Sequence, residues 1–228
     1  MKWWMWGEFN VPVRTMLRLG RDISDSILSA AQERETNLMI LGWPGQTSHR
    51  EQAFGAIIDL MAQNPPCDLA VVRFRRSGVP VRRILVPVAG GPNTRMALEV
   101  AVMQADALEQ INGERPAVVA LNLALGGIPS AEQMESQKQQ LVDRFELAEL
   151  PIEIEVAHAE DVVEGILAAA ANCDQIVIGA SEERLLEQSL FGSIPQRVAE
   201  EAPITTVMVK RHDLVKFGLR RWLFPRKR

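Results

Sequence analysis

Cysteine and histidine are scarce: two and three in 228 residues. Cys67 and Cys173 show no metal-type spacing and read as reduced thiols of a cytosolic protein, not as a disulfide framework. His49, His158 and His212 are scattered over a loop, a strand end and the tail. No Ser-His-Asp arrangement and no paired-histidine or paired-cysteine metal motif can be assembled from them, so neither an enzyme nor a metal site is expected. No apolar run comes near the 18 residues of a membrane-spanning helix. The opening MKWWMWGEFN is too short and too aromatic for a signal peptide, and no small-residue cleavage site follows. What remains, 47% hydrophobic and 24% charged, is ordinary for a globular protein large enough for one or two cores.

The net charge of −4 conceals an uneven distribution. From Lys210 onward there are eight of the 25 Lys/Arg but one of the 29 Asp/Glu, leaving 17 against 28 and a body near −11. The tail LVKFGLRRWLFPRKR interleaves Leu214, Phe217, Trp222 and Phe224 with basic residues, a composition suited to an anionic membrane surface or an acidic partner. No groove-reading motif accompanies the charge, so nucleic acid is not expected as a partner. Arg73, Arg75, Arg76, Arg82 and Arg83 bracket Ser-Gly-Val-Pro at 77–80, which has linker chemistry.

One pattern occurs twice. LMILGWPGQTSHREQAFG at 38–55 and QIVIGASEERLLEQSLFG at 175–192 share an apolar strand followed by Gly-x2-Gly/Glu-x9-Gly. The positions are Gly42, Gly45 and Gly55 in the first copy and Gly179, Glu182 and Gly192 in the second, an offset of 137. At the same offset Phe54 matches Phe191, Pro66 matches Pro203 and LAVVR at 69–73 matches TVMVK at 206–210. Glycines after a buried strand let backbone N–H groups approach an anion, and the last one opens a helix whose N-terminus favours phosphate.

The second copy has a long lead-in. RRILVPV (82–88) is a strand ending in Ala-Gly-Gly-Pro-Asn, a helix follows to about Gln110, and AVVALNLAL (117–125) is the next strand. Ser130 with Gln133 forms a capping-box signature, PIEIEVA (151–157) alternates as a half-exposed strand, and Asp161 caps the next helix. QIVIG, a helix from Ser193 to Glu201 and ITTVMVK complete an α/β pattern with a parallel sheet flanked by helices. In the first copy VPVRTML (11–17) reads as an alternating strand, 22–35 as a helix, LMILG as a strand, 55–63 as a helix and DLAVVRF as the last strand.

RILVPVAGGPNT, the signature region IVIGASEERLLEQSLFGSIPQRVAEEAPITTVMV and its second copy LMILGWPGQTSHREQAFGAIIDLMAQNPPCDLAVV resemble the universal stress protein family over about 11–211. The resemblance implies a Rossmann-like sheet of order 3-2-1-4-5 with a ligand site at the switch point between strands 1 and 4. It implies a truncated domain at 1–76 holding only the last three strands, a linker at 77–83, a complete domain at 82–211 and a basic tail at 212–228. Paired domains of this kind commonly join through their last strands, here 69–74 and 205–210. LVPVAGGPNTRMALEVA looks most like the arrays behind the membrane part of bacterial permeases and chloride channels, which implies a transporter partner at the inner face of the membrane.

Adenine-nucleotide binders of the family carry Gly-x2-Gly-x9-Gly-Ser/Thr/Asn, so the implied ATP-site residues are Gly42, Gly45, Gly55, Ala89, Gly179, Glu182, Gly192 and Ser193. Several depart from the pattern: Ala89 stands where an aspartate is common, Glu182 replaces a glycine with a carboxylate where phosphates would lie, and Ala56 follows Gly55. The expected function is a non-catalytic regulatory or nucleotide-sensing module, the alternative a free-standing ATP-binding stress protein. Without its first two strands the truncated copy leaves 38–42 with a bare edge, and Trp3, Trp4 and Trp6 need cover, so a homodimer is expected.

Overall fold

Apolar, β-branched runs bounded by turn residues become strands here, and most helices between them start at a capping side chain or a glycine. A computed structural model describes residues 13–45, 56–63, 65–75, 78–181 and 191–212. In chain order the elements are α1 (Ile23–Glu33), β1 (Leu38–Gly42), α2 (Ala56–Gln63), β2 (Asp68–Arg73), β3 (Arg83–Pro87) and α3 (Pro92–Asn112). Next come β4 (Ala117–Leu125), α4 (Ala131–Phe145), β5 (Ile152–Ala159), α5 (Val162–Ala170), β6 (Gln175–Gly179), α6 (Ser193–Glu201) and β7 (Thr205–Lys210). Asp22 caps α1 through the Asp25 N–H, Asp161 caps α5 through two N–H groups, and Ser130 with Gln133 makes the reciprocal box of α4.

The strands form one sheet of order β1-β2-β7-β6-β3-β4-β5. Its β5-β4-β3-β6-β7 portion is parallel throughout and has the 3-2-1-4-5 order expected for the second copy. β2 joins β7 antiparallel, with Val71 opposite Met208, so the last strands of the two copies meet edge to edge as expected. Apolar clusters cover both faces. Met39, Leu69, Val71, Ile176 and Met208 pack under α2, α5 and α6, while Ala70, Val72, Ile84, Val177 and Val209 pack with α3 and α4.

The expectation for 11–17 is corrected. Residues 13–20 form no strand, and the first copy contributes two strands, not three, among the described residues. Apolar–polar alternation makes a strand only where a ladder and a buried face are available. Here Val13, Met16, Leu17 and Leu19 are exposed, and Arg18 is paired with Glu33 of α1, which ties the segment to that helix instead of the sheet.

β2 carries a charge into the junction. Arg73 is 8% exposed, donates from Nη1 to the Ala199 carbonyl at 2.6 Å and lies 4.8 Å over the Trp43 ring. Its neighbour Arg75 donates from Nη2 to the Glu200 carbonyl at 2.9 Å. Both guanidinium groups thus meet the negative, C-terminal end of α6. Burial first, then the nearby Arg75 charge, pull the Arg73 pKa below the ordinary guanidinium range. Arg73→Met should destabilise the protein by roughly 2–4 kcal/mol, from a charge-assisted hydrogen bond and a cation–π contact, whereas exposed Arg75→Met should cost under about 1 kcal/mol. Urea unfolding of both variants checks this; equal small losses would remove Arg73 from the junction's stability.

Candidate functional site

β3 ends in a turn pinned from three sides. Val88 N donates to the Leu121 carbonyl at 2.7 Å, and the Asn122 side-chain amide donates to the Val88 carbonyl at 3.1 Å. Ala89 is exposed beyond that point, and Gly90 and Gly91 take φ of +123° and +84°, backbone open to glycine and strained for other residues. Pro92 then starts α3, where its missing N–H costs nothing. Thr94 Oγ1 donates to the Gly90 carbonyl at 2.7 Å and closes the turn.

Asn93 ties this turn to the end of β6. Its Nδ2 donates to the Ala180 carbonyl at 2.9 Å, and its Oδ1 accepts from Arg211 N at 2.8 Å just beyond β7. Gly179 lies so close that a Cβ there would stand 2.5 Å from the Asn93 carbonyl carbon and oxygen. The turn at 89–93 is therefore beside Gly179, at the switch point between β3 and β6.

The third side is the start of α6. Ser181 N donates to the Phe191 carbonyl at 2.8 Å, and Phe191 is fully buried. Gly192 has φ +92°, and a Cβ on it would overlap Ser181 Oγ. Among the described residues that buried hydroxyl has no hydrogen-bond partner. Ser193 is exposed at the first turn of α6, whose N-terminal dipole favours an anion. From α4, the Arg144 guanidinium covers Gly90, 2.6 Å from where a Cβ would be. Glu182 lies outside the described residues.

Ala89, Gly179, Gly192 and Ser193 are thus gathered at one end of the sheet, and Gly42 and Gly45 lie elsewhere. β1 is parallel to β2 and β2 antiparallel to β7, so Gly42, at the end of β1, is at the opposite end of the sheet. There Gly45 has φ +111° and would place a Cβ 3.5 Å from Arg73 Nη2, while Gly55 lies outside the described residues. Sequence reasoning missed Asn93, Ser181 and Arg144. Asn93 stood in a segment read only as turn chemistry, and the approach of Arg144 to Gly90 crosses elements with no local pattern to announce it.

Of the remaining reactive side chains, Cys173 precedes β6 at the far end of the sheet, whereas Cys67, just before β2, and His158, near the end of β5, lie at the same end as Gly179. Burial raises the pKa of Cys67, and burial likewise dominates at Cys173, so both thiols are protonated near neutrality. His158 is exposed on β5, with Nε2 against the Gly126 carbonyl.

The equivalent glycines 42 and 179 meet opposite surroundings. A Cβ on Gly42 would touch nothing within 4 Å. Gly179→Ala should therefore cost about 1–3 kcal/mol by overpacking, and Gly42→Ala should be within about 0.5 kcal/mol of neutral. Thermal and urea unfolding of the two single variants check the contrast.

Comparison with known proteins agrees with this architecture. The model of the universal stress protein family matches residues 80–210. The Na+/H+ antiporter NhaS5 of Synechocystis is 25% identical over 207 residues, covering 88% of this chain and 28% of the antiporter, so the chain spans little more than a quarter of that relative. Among solved structures, a universal stress protein of Archaeoglobus fulgidus superposes with a TM-score of 0.56 at 18% identity, over 83% of this chain and 66% of that one. A putative universal stress protein of Pseudomonas aeruginosa gives 0.56 at 14% identity, over 87% and 72%. These two likenesses concern the fold. With more than half its length matched by the family model, the chain belongs to the universal stress protein family.

Proposed function

We propose that this chain is a non-catalytic regulatory module of a membrane transporter, with an adenine nucleotide such as ATP as the signal read at the end of β3 and β6. The observation that carries the transporter part is the antiporter relative, whose similarity runs through 88% of this chain and so includes the first copy as well as the second. Among the described residues no helix is long and apolar enough to cross a membrane, so the module would act on a membrane part that lies elsewhere. In this reading it sits at the cytosolic face, and the basic tail meets the transporter or anionic lipid.

The groups around the switch point support a binding role. Ser181 Oγ, the N-terminus of α6 at Gly192 and the Arg144 guanidinium all favour an anion. Ala89 offers no carboxylate to a ribose or base, which weakens nucleoside contacts relative to phosphate contacts.

Calorimetric titration of the full chain with Mg-ATP tests the ligand. Weak saturable binding is expected. Glu182→Gly should tighten it several-fold by removing a carboxylate from the phosphate loop, and Gly192→Val should abolish it by forcing a side chain into Ser181. No change with either substitution would mean that no nucleotide binds there. Replacing the matching region of the antiporter with this chain tests the partner: Na+/H+ exchange in vesicles should respond to ATP, and an indifferent chimaera overturns the transporter reading. Stoichiometric adenine nucleotide retained through purification would instead favour a free-standing ATP-binding stress protein.

A further inference from the structure

The two copies of the repeat allow every position of β1 to be compared with a position of β6 that has its full surroundings. At the offset of 137, Asn37 matches Asp174, Leu38 and Met39 match Gln175 and Ile176, Ile40 matches Val177, and Gly42 matches Gly179. On β6 each of these positions is occupied by the strand–turn–helix unit of β3 and α3. Asp174 Oδ2 accepts from the N–H groups of Arg82 and Arg83 at 2.8 and 3.0 Å. Gln175 and Ile176 pair with Ile84 and Leu85 in a parallel ladder. Val177 is 0% exposed and packs in the cluster that α3 covers, and Gly179 receives the backbone of Asn93.

On β1 the same contacts are missing one by one. Asn37 is exposed, and among the described residues its main-chain carbonyl is engaged by Asp68 N and its side chain has no hydrogen-bond partner. Leu38 and Met39 pair only with β2 among the described residues. Ile40 is 64% exposed, and Gly42 faces open space. None of the devices that protect an edge is present in β1, which has no charge, no proline and no bulge.

We propose that the edge of β1 left unpaired among the described residues is the acceptor for a strand–glycine turn–helix unit from another polypeptide, which runs parallel to β1 and completes the first copy of the fold. The interface already formed by β3 and α3 on β6 defines the chemistry of the occupant. Its strand carries uncharged apolar residues opposite Leu38 and Met39, because no charged group on β1 would compensate a charge there. The amide oxygen of Asn37 accepts a backbone N–H at its start, as Asp174 does in the second copy. A glycine turn passes over Gly42, and the following helix lays an apolar face on Ile40. A second copy of this chain fits less well. Antiparallel pairing of β1 with itself would satisfy the ladder, but α1 and α2 pack on the opposite face with Met39 and Met61, so Ile40 would stay bare.

The probe is a synthetic peptide with the sequence of residues 81–113 of this chain, which contains β3, its glycine turn and α3. Fluorescence titration of the full chain with labelled peptide should saturate at one to one. With a photo-crosslinker in place of the peptide's Leu85, the adduct should form at Met39, the counterpart of Ile176. Ile40→Asp, at an exposed position that tolerates the change without unfolding, should weaken binding tenfold or more, and Gly42→Val should do the same by blocking the turn. Equal affinity of wild type and both variants overturns the proposal. So does an adduct confined to Ile176, which would mean exchange with the chain's own β3. A stable dimer by light scattering, with the β1 amides protected from hydrogen exchange before any peptide is added, would assign the edge to a second copy instead.

Discussion

The antiparallel ladder between β2 and β7 is the constraint on which the rest of the molecule depends. Each strand is the last of its repeat and would otherwise be an edge. Five residue pairs from Leu69–Lys210 to Arg73–Thr206 join them, and the side chains on both faces enter the two apolar clusters. An isolated pair of strands such as β1 and β2 has too little buried face to persist in water; attached to a five-stranded sheet, it inherits a core. The ladder also sets direction. Because β2 runs against β7, everything attached to β2 is turned over relative to the second copy.

That inversion separates the two glycine loops. The first copy has intact glycines and no strands to hold a base, and the second has the complete scaffold with Glu182 in its loop. Had the copies been side by side in the same direction, one could have lent what the other lacks. Gly42 and Gly179 lie at opposite ends of the sheet, so each is surrounded by the described side chains of its own end. At the second-copy end these are Asn93, Ser181 and Arg144; at the first-copy end, Arg73 and Trp43.

The order of the second copy was legible because each of its strands is an apolar run closed by turn residues and each crossover is long enough for a helix. The caps at Ser130 and Asp161 were legible for the same local reason: one side chain, one free N–H, a fixed spacing. The segment at 11–17 was misread because alternation measures amphipathicity and says nothing about whether a ladder partner exists. β5 was read two residues short, as its end is set by pairing with β4 out to Leu125–Ala159, a non-local fact. The site residues divide in the same way. Glycines announce themselves by spacing, whereas the burial of Arg73 beneath Trp43 and the seating of Arg144 on Gly90 depend on elements far apart in sequence; the five clustered arginines looked like a linker's flanks.

One helix touches both ends. Gly192, at the start of α6, forms the second-copy loop with Ser181. The last-turn carbonyls of the same helix, at Ala199 and Glu200, are held by Arg73 and Arg75, and Arg73 stands beside Gly45 of the first-copy loop. A nine-residue helix is stiff along its axis, so a displacement at one end appears at the other with little loss. Its side chains Val198 and Ala199 are fully buried, which leaves it little freedom to tilt independently of the sheet. The negative end of its dipole is compensated by two guanidinium groups, and the positive end begins at Gly192 beside Ser181. The asymmetry of the repeat thus resolves along α6: the truncated copy anchors its C-terminal end, and the complete copy's own turn at Ser181 and Gly192 starts it.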